Sequence, residues 1–467
     1  MVSLLNTLSY TFPRANLFVK PSFAYTLRSF QTNMRQRNLQ RATWSSVNYS
    51  IKSTTLYPTT ISCFKSSKNE EGIINIKEDI VILGIETSCD DTAVAIVRSN
   101  GEILSQVVSS QADLLERYGG VAPKMAEEAH SQVIDQVVQQ AFDEANLTEK
   151  DLSAVAVTIG PGLSLCLRVG VRKARQIAGR FMLPMVGVHH MEAHTLVARL
   201  IDRELQFPFL ALLISGGHNL LVLARDVGNY VQLGTTVDDA IGEAYDKTAR
   251  RLGLNMRGGG GPALEQLARE GNPQSVKFSV PMRQHKDCNF SYAGLKTQAR
   301  LAIESKNIAT DTPISSTSLE DRGLRADIAA SFQRVAVLHL EERCERAIDW
   351  ALKLEPSIKY LVVAGGVASN QYVRTRLSAV AEKNDMELVC PPPKLCTDNG
   401  VMVAWTGIEH FRKGRFDPPP PANDPDDFVF DLRPRWPLGE EHTEGKSEAR
   451  SMRIARIHPS LTSIIQS

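Results

Sequence analysis

The sequence predicts a duplicated α/β protein, with two lobes of similar build facing each other across a cleft. Two observations predict it. Three short apolar strands, a helix, a further strand, a Gly-bearing turn and another helix fill residues 80–179, and the same order returns between residue 209 and the helix after Asn370. Gly-rich turns also close several of the apolar strands, where backbone amides can approach a bound anion.

Each element has a local reason. Ile82, Leu83 and Ile85 form a strand that enters a polar turn at 87–91, and 93–97 and 103–108 supply two more. Pro123 suits the first turn of a helix in which Ile134, Val137, Val138, Ala141 and Ala145 recur at helical spacing. A strand at 154–159 ends in Gly160-Pro161-Gly162, and a helix follows over 163–179. In the second half, 209–214, 220–224 and 230–235 repeat the three-strand run, with the turn Ser215-Gly216-Gly217-His218-Asn219 after the first. Helices are expected over 238–253 and 326–354, the latter burying Ile328, Phe332, Val335 and Ala336; a strand at 360–364 then ends in Gly365-Gly366. Residues 310–318 and 418–421 read as irregular. The expected domains are a leader and linker over 1–75, a first lobe over 76–206, a second lobe over 207–415 and a Pro-rich, basic extension over 416–467, with helix 398–413 packing back on the first lobe.

Charge bounds the function. The 467 residues carry a formal +1, and 43% hydrophobic with 22% charged residues fits a globular chain. Nine Lys and Arg precede Glu70 without a single acid, so the first 69 residues hold +9 and the remainder holds −8. Such a leader predicts import into an organelle, the mitochondrion ahead of the plastid; a basic arm for nucleic acid is the competing reading. The most apolar region, 207–224, is interrupted by Ser215 to Asn219, so no transmembrane segment is expected and any membrane association is peripheral. Seven cysteines without a Cys-x-x-Cys pair predict small core residues rather than a disulfide framework.

The chemistry starts at His190 and His194. Four residues apart, they share one face of a helix and can share a divalent metal. Glu192 points roughly 200° around the helix from His190, which deprives a zinc peptidase of its base. Asp398 suits a third ligand or a helix N-cap, and two His with one carboxylate suit iron or zinc. Three Gly-rich turns at 213–218, 257–262 and 364–370, read as spread across both halves, favour a nucleotide in the cleft. An acidic set comprises Asp90-Asp91, Asp238-Asp239, Glu243 and Asp246; Asp238 and Asp246 are expected on one helix face, with a carboxylate available to ribose hydroxyls or magnesium.

Taken together, Leu83-Gly84-Ile85-Glu86-Thr87-Ser88-Cys89-Asp90-Asp91-Thr92, the block from His189 to His194, Ser215-Gly216-Gly217-His218, Asp246-Lys247, Phe290-Ser291-Tyr292-Ala293-Gly294-Leu295-Lys296 and Ala364-Gly365-Gly366-Val367 resemble the tRNA adenosine threonylcarbamoyltransferase family, formerly called O-sialoglycoprotein endopeptidases. The resemblance covers 80–415, and the leader directs it to the mitochondrial, plant-type branch. It implies the fold of actin, sugar kinases and heat-shock chaperone ATPases. It also implies transfer of the threonylcarbamoyl group from threonylcarbamoyl-AMP to N6 of adenosine 37, in tRNAs reading codons that begin with adenine. A threonylcarbamoyl-AMP synthase upstream and a homodimer are implied as well. The residues it assigns are His190, His194 and Asp398 to one divalent metal per subunit, iron or zinc; Leu213, Ile214, Ser215, Gly216, Gly217, Asp246, Gly261, Glu265 and Asn370 to the adenylate; and Asp90 to the transfer step. The glycine run before Pro262 is longer than the family's Gly-Gly-Pro, so Gly259 competes with Gly261. Candidate tRNA contacts are Arg168, Arg172, Lys173, Arg175 and Arg180 on one helix, and Arg433, Arg435, Arg450, Arg453 and Arg456 in the tail; a solvated face is the alternative. Functions of other classes are a non-catalytic nucleotide-binding scaffold for organelle genome maintenance and a metallopeptidase.

Overall fold

The computed structural model describes residues 79–111, 122–256, 258–308, 312–422 and 431–443. Two sheets organise them. The first contains β1 (Val81–Glu86), β2 (Asp91–Arg98), β3 (Ile103–Ser110), β4 (Ala154–Gly160) and β5 (Met185–His189), in the order β3-β2-β1-β4-β5. The antiparallel β1–β2–β3 meander meets parallel β4 and β5; α1 (Pro123–Ala145) precedes β4, and α2 (Ser164–Phe181) connects β4 to β5. The second contains β6 (Phe209–Ile214), β7 (Asn219–Asp226), β8 (Asn229–Thr235), β9 (Tyr360–Ala364) and β10 (Glu387–Val389). Its order, β10-β9-β6-β7-β8, repeats that of the first, with β11 (Glu440–Glu441) added beyond β8. The duplicated, actin-like α/β arrangement expected from the sequence is therefore present. Strands β1, β4 and β6 are buried on both faces, which is why they read as unbroken apolar runs and not as alternation.

Two helices set the site. The helix α3 (His190–Ile201) is buried at every residue except Arg199 and Ile201. Its Ala193, Leu196 and Val197 join the core against the first sheet, while Met191 and Ala198 pack with Phe209, Ala211 and Leu213 of the second. Between α3 and the chain end come α4 (Ile241–Arg251), α5 (Gly260–Ala268), α6 (Ala293–Ser305), α7 (Leu319–Leu354), α8 (Gln371–Lys383), α9 (Pro393–Cys396) and α10 (Gly400–Arg412). The last of these packs on β1, β2 and β4 of the first sheet. Glycine permits the approach: a Cβ on Gly84 would overlap the Ala404 nitrogen and the Gly400 oxygen.

Helix starts differ from expectation. Helix α4 begins at Ile241 and not at residue 238, because Asp238 serves another segment, accepting from Ser291 Oγ (2.5 Å) and Tyr292 N (2.9 Å). Asp238 and Asp246 consequently do not share a helix face. Helix α7 begins at Leu319, ahead of residue 326, because Ser318 accepts from Asp321 N (3.1 Å) as an N-cap and Glu320 and Asp321 complement the first turn. Among the described cysteines, Cys166, Cys288, Cys344 and Cys396 are buried and all six are free. No described helix is long and apolar enough to cross a membrane. The leader, Cys63, Arg257, Thr310, Arg450, Arg453 and Arg456 lie outside the described residues.

Candidate functional site

Where β5 passes into α3, His189 caps the helix by accepting from Met191 N (3.1 Å). His190 and His194 then project from the same face, their rings edge to face with centroids 4.8 Å apart. Asp398 arrives from the loop before α10, its Oδ1 lying 3.0 Å from His194 Nε2 and 3.6 Å from His190 Nε2. It is not the helix cap. Asn399 holds that position, accepting from Met402 N at 2.8 Å, so the Asp398 carboxylate stays with the histidines.

Glu86 organises this group from below. It ends β1, is 1% exposed, lies with Oε2 3.2 Å from His190 Nδ1, accepts from the Thr158 hydroxyl, and accepts from Ser88 N with Oε1 (2.6 Å). A proton on His190 Nδ1 faces Glu86, which leaves the Nε2 lone pair directed toward Asp398 and His194, the tautomer a metal ligand requires. Among the described residues the buried His194 Nδ1 has no hydrogen-bond partner, while its Nε2 faces Asp398. One ligand atom from each of His190, His194 and Asp398 lies within 4.8 Å of the others, a donor set that fits a divalent cation with open positions. Burial opposes charge on His190, but Asp398 and Glu86 prevail and raise its pKa to about 9. Against the same burial, His190 holds both Asp398 and Glu86 below the usual carboxylate range. The proton on this group is the one a divalent cation would displace. Glu192 faces the other way, accepting from Gly228 N (2.7 Å) and Tyr230 Oη (2.9 Å) and facing His410 Nε2 (2.9 Å).

The acidic turn sits beside the centre. His130, fully buried on α1, has Nδ1 2.7 Å from Thr92 Oγ1 and Nε2 3.2 Å from the Cys89 carbonyl, so its ring straddles Asp90 and Asp91. Burial, with the field of Asp398 adding to it, raises the pKa of Asp90 and, to about 6, that of Asp91.

In the second sheet, Leu213 and Ile214 end β6, buried on its opposite faces, and Ser215 opens a closed turn. Ser215 N donates to the His218 carbonyl (2.9 Å), His218 N to Ser215 Oγ (3.1 Å), and Gly242 N to the Ser215 carbonyl (3.2 Å). Gly216 and Gly217 are exposed, with open space where side chains would stand. Burial lowers the basicity of His218, and the fields of His190 and His194 lower it further. Gly365 (φ +94°) lies against Ile214, whose carbonyl a side chain would overlap, which sets the Gly365-Gly366 turn beside the Ser215 turn. All three Gly-rich turns belong to the second lobe, a correction to their expected spread over both halves.

The remaining predicted residues are tied into the second lobe. Asp246 accepts from Gly260 N (2.9 Å) and from the Gly261 amide, holding the start of α5. Glu265 accepts from Gln371 N (2.9 Å). Asn370 caps α8 by accepting from Val373 N (3.0 Å) and donates to Gln333 Oε1 (3.2 Å). Glu265, Gln333, Gln371 and Tyr372 line a cavity of about 370 Å³. Sequence reasoning gave Glu86, His130 and His218 no role. A signal existed for the first two: Glu86 is a charge closing an apolar strand, and His130 falls four residues before Ile134 on the buried stripe of α1.

Fold and site define a class: a duplicated, actin-like α/β protein with a His-His-Asp centre and Gly-rich turns. The family model described as TsaD, tRNA N6-adenosine threonylcarbamoyltransferase, matches residues 102–405. A probable mitochondrial tRNA N6-adenosine threonylcarbamoyltransferase of Arabidopsis thaliana is 66% identical over all of this chain and 98% of its own length. The mitochondrial tRNA N6-adenosine threonylcarbamoyltransferase of Xenopus tropicalis is 44% identical over 73% of this chain and 84% of its own, and the tRNA N6-adenosine threonylcarbamoyltransferase of Rhizobium etli is 44% identical over 76% and 94%. The chain belongs to the tRNA N6-adenosine threonylcarbamoyltransferase family. Among solved structures, full-length HypF aligns at TM-score 0.46 and 13% identity, covering 73% of this chain and 57% of that one. Component A of (R)-2-hydroxyglutaryl-CoA dehydratase from Acidaminococcus fermentans aligns at 0.43 and 16%, covering 72% and 99%.

Proposed function

We propose that this protein transfers the threonylcarbamoyl group of threonylcarbamoyl-AMP to N6 of adenosine 37, in mitochondrial tRNAs that read codons beginning with adenine. The observation that carries this reading is the His190–His194–Asp398 centre, whose ligand atoms lie within 4.8 Å of one another, in a chain of this family. In the reaction, the N6 lone pair forms a bond to the carbamoyl carbon, the bond from that carbon to the phosphate oxygen breaks, and AMP leaves with the electron pair. Asp90, made a better proton acceptor by its burial, orients the amine and takes the proton that N6 loses. An exocyclic amine is a poor nucleophile, so holding it in line contributes a large share of the acceleration.

His190, His194 and Asp398 would hold one iron or zinc ion per subunit, which would supply Lewis acidity to the threonylcarbamoyl group. Glu86 keeps the His190 lone pair aimed into the centre. The amides of Gly216 and Gly217, at a turn with open space before it, receive the AMP phosphate, while Leu213, Ile214 and Ser215 fix the turn. Asp246 anchors Gly261 for the nucleoside, Glu265 lines the cavity beyond it, and Asn370 caps α8 and bonds to Gln333 of that cavity. The leader would direct import and be removed, a threonylcarbamoyl-AMP synthase would supply the donor, and the working form would be a homodimer. The domain boundaries at 75, 206 and 415 are part of the same reading. Incubating the purified protein with threonylcarbamoyl-AMP and an unmodified A-decoding tRNA, then digesting the tRNA, should yield threonylcarbamoyladenosine; no product in the presence of intact donor would favour the scaffold reading.

A further inference from the structure

Residues 431–443 lie beyond the family match at 102–405 and run across both lobes. On the first lobe, Arg433 N donates to the Ile159 carbonyl (2.8 Å), the Pro434 carbonyl accepts from Gly162 N (3.2 Å), and Leu432 and Trp436 pack on the core. On the second, Leu438 is buried with Phe209, Val222 and Tyr230, β11 pairs with β8, and His442 N donates to the Gln232 carbonyl (2.9 Å). A short stretch of chain thus bonds to both sheets.

Its midpoint meets the start of α3. The Trp436 ring lies 4.5 Å from the His189 ring, and the Trp436 carbonyl is 3.0 Å from His189 Nε2. Met191 N, which can only donate, is 3.1 Å from His189 Nδ1. A carbonyl can only accept, so the two partners together fix one tautomer: Nε2–H donates to Trp436 and Nδ1 caps the helix. The Arg433 guanidinium covers the Trp436 ring at 4.6 Å and pairs with Asp431 at 2.8 Å, pinning the ring in place.

We propose that residues 431–443 form a strap that fixes the start of α3, with Trp436 acting through His189 as a positioning residue for His190 and His194. Removing a partner that orients metal-ligating histidines typically costs at least tenfold in metal affinity. The metal part of the inference rests on the reading of His190, His194 and Asp398 as a metal centre. The test uses the full chain as wild type, Trp436→Ala, His189→Ala and His189→Asn. Hydrogen–deuterium exchange is followed over 190–201 and 431–443, and zinc affinity is measured by chelator competition. Trp436→Ala should speed exchange in both segments and weaken zinc binding about tenfold. His189→Ala should reproduce the effect on α3 with the strap sequence intact, and so answers the question if Trp436→Ala does not fold. His189→Asn, which keeps a capping acceptor, should restore most of both. Faster exchange in the strap with α3 exchange and zinc affinity unchanged would overturn the proposal. If the wild type binds no zinc, the metal reading fails, and exchange at 190–201 still decides the strap.

Discussion

Glu86 is the residue on which the ligand geometry turns, because among the described carboxylates it is the one at the Nδ1 side of His190, which it shares with the Ser88 hydroxyl at 3.2 Å. Glu86→Gln keeps the shape and removes the charge. It should weaken metal affinity about 10- to 100-fold, read by chelator competition, with the far-ultraviolet circular dichroism unchanged. The same charges predict a pH dependence. His190 in the metal-free protein is raised to about 9, and binding requires the neutral ring, so affinity should rise with pH and level off above about 9. Titrations at a series of pH values check this; flat affinity between pH 7 and 9 would contradict it. For the metal-free fold the sign is opposite: the stabilisation from protonated His190 is fully present below its ordinary value of 6.5 and is lost as pH rises through about 9. That the two histidines share a helix face was legible from their spacing; the ligand role came with the family resemblance. Asp398 was not legible as a ligand, since Asp is a good cap, and only the placement of Asn399 in that role separates the two readings.

At the scale of elements, α10 carries Asp398 to the centre by lying directly on β1 and β2. Gly84→Ala would push the helix backbone away, and overpacking of this kind costs about 1–3 kcal/mol, visible as a lower urea midpoint. An unchanged midpoint would mean that the contact relaxes without cost. The strands and their order were legible because buried central strands are apolar runs that local sequence displays. Two helix starts were less so. Asp238 looks like the head of a helix until Ser291 and Tyr292 claim it from far along the chain. Ser318, by contrast, carries a local signal, an acid three residues later at Asp321, that marks its helix start. Residues 431–443, with little periodicity, gave no sign of joining both lobes.

For the whole molecule, the formal +1 divides into a leader of +9 and a remainder of −8, so total charge is no argument for binding RNA. Local patches carry that claim. On α2, Lys173 pairs with Asp135 at 2.7 Å, and Arg168, Arg172 and Arg180 are exposed, of which Arg168 and Arg172 are the two to test. Reversing both to Glu should weaken tRNA binding and lower the slope of log affinity against log salt by about 1 to 2. An unchanged slope would remove this face from the interface. The central claim is that transfer takes place at the His190–His194–Asp398 centre in the cleft. The most direct measurement pairs bound-metal stoichiometry with threonylcarbamoyladenosine formed on tRNA, for wild type and His190→Ala. The account predicts one metal per wild-type subunit and product, with both lost in the variant; a variant that keeps its metal and full transfer would contradict it.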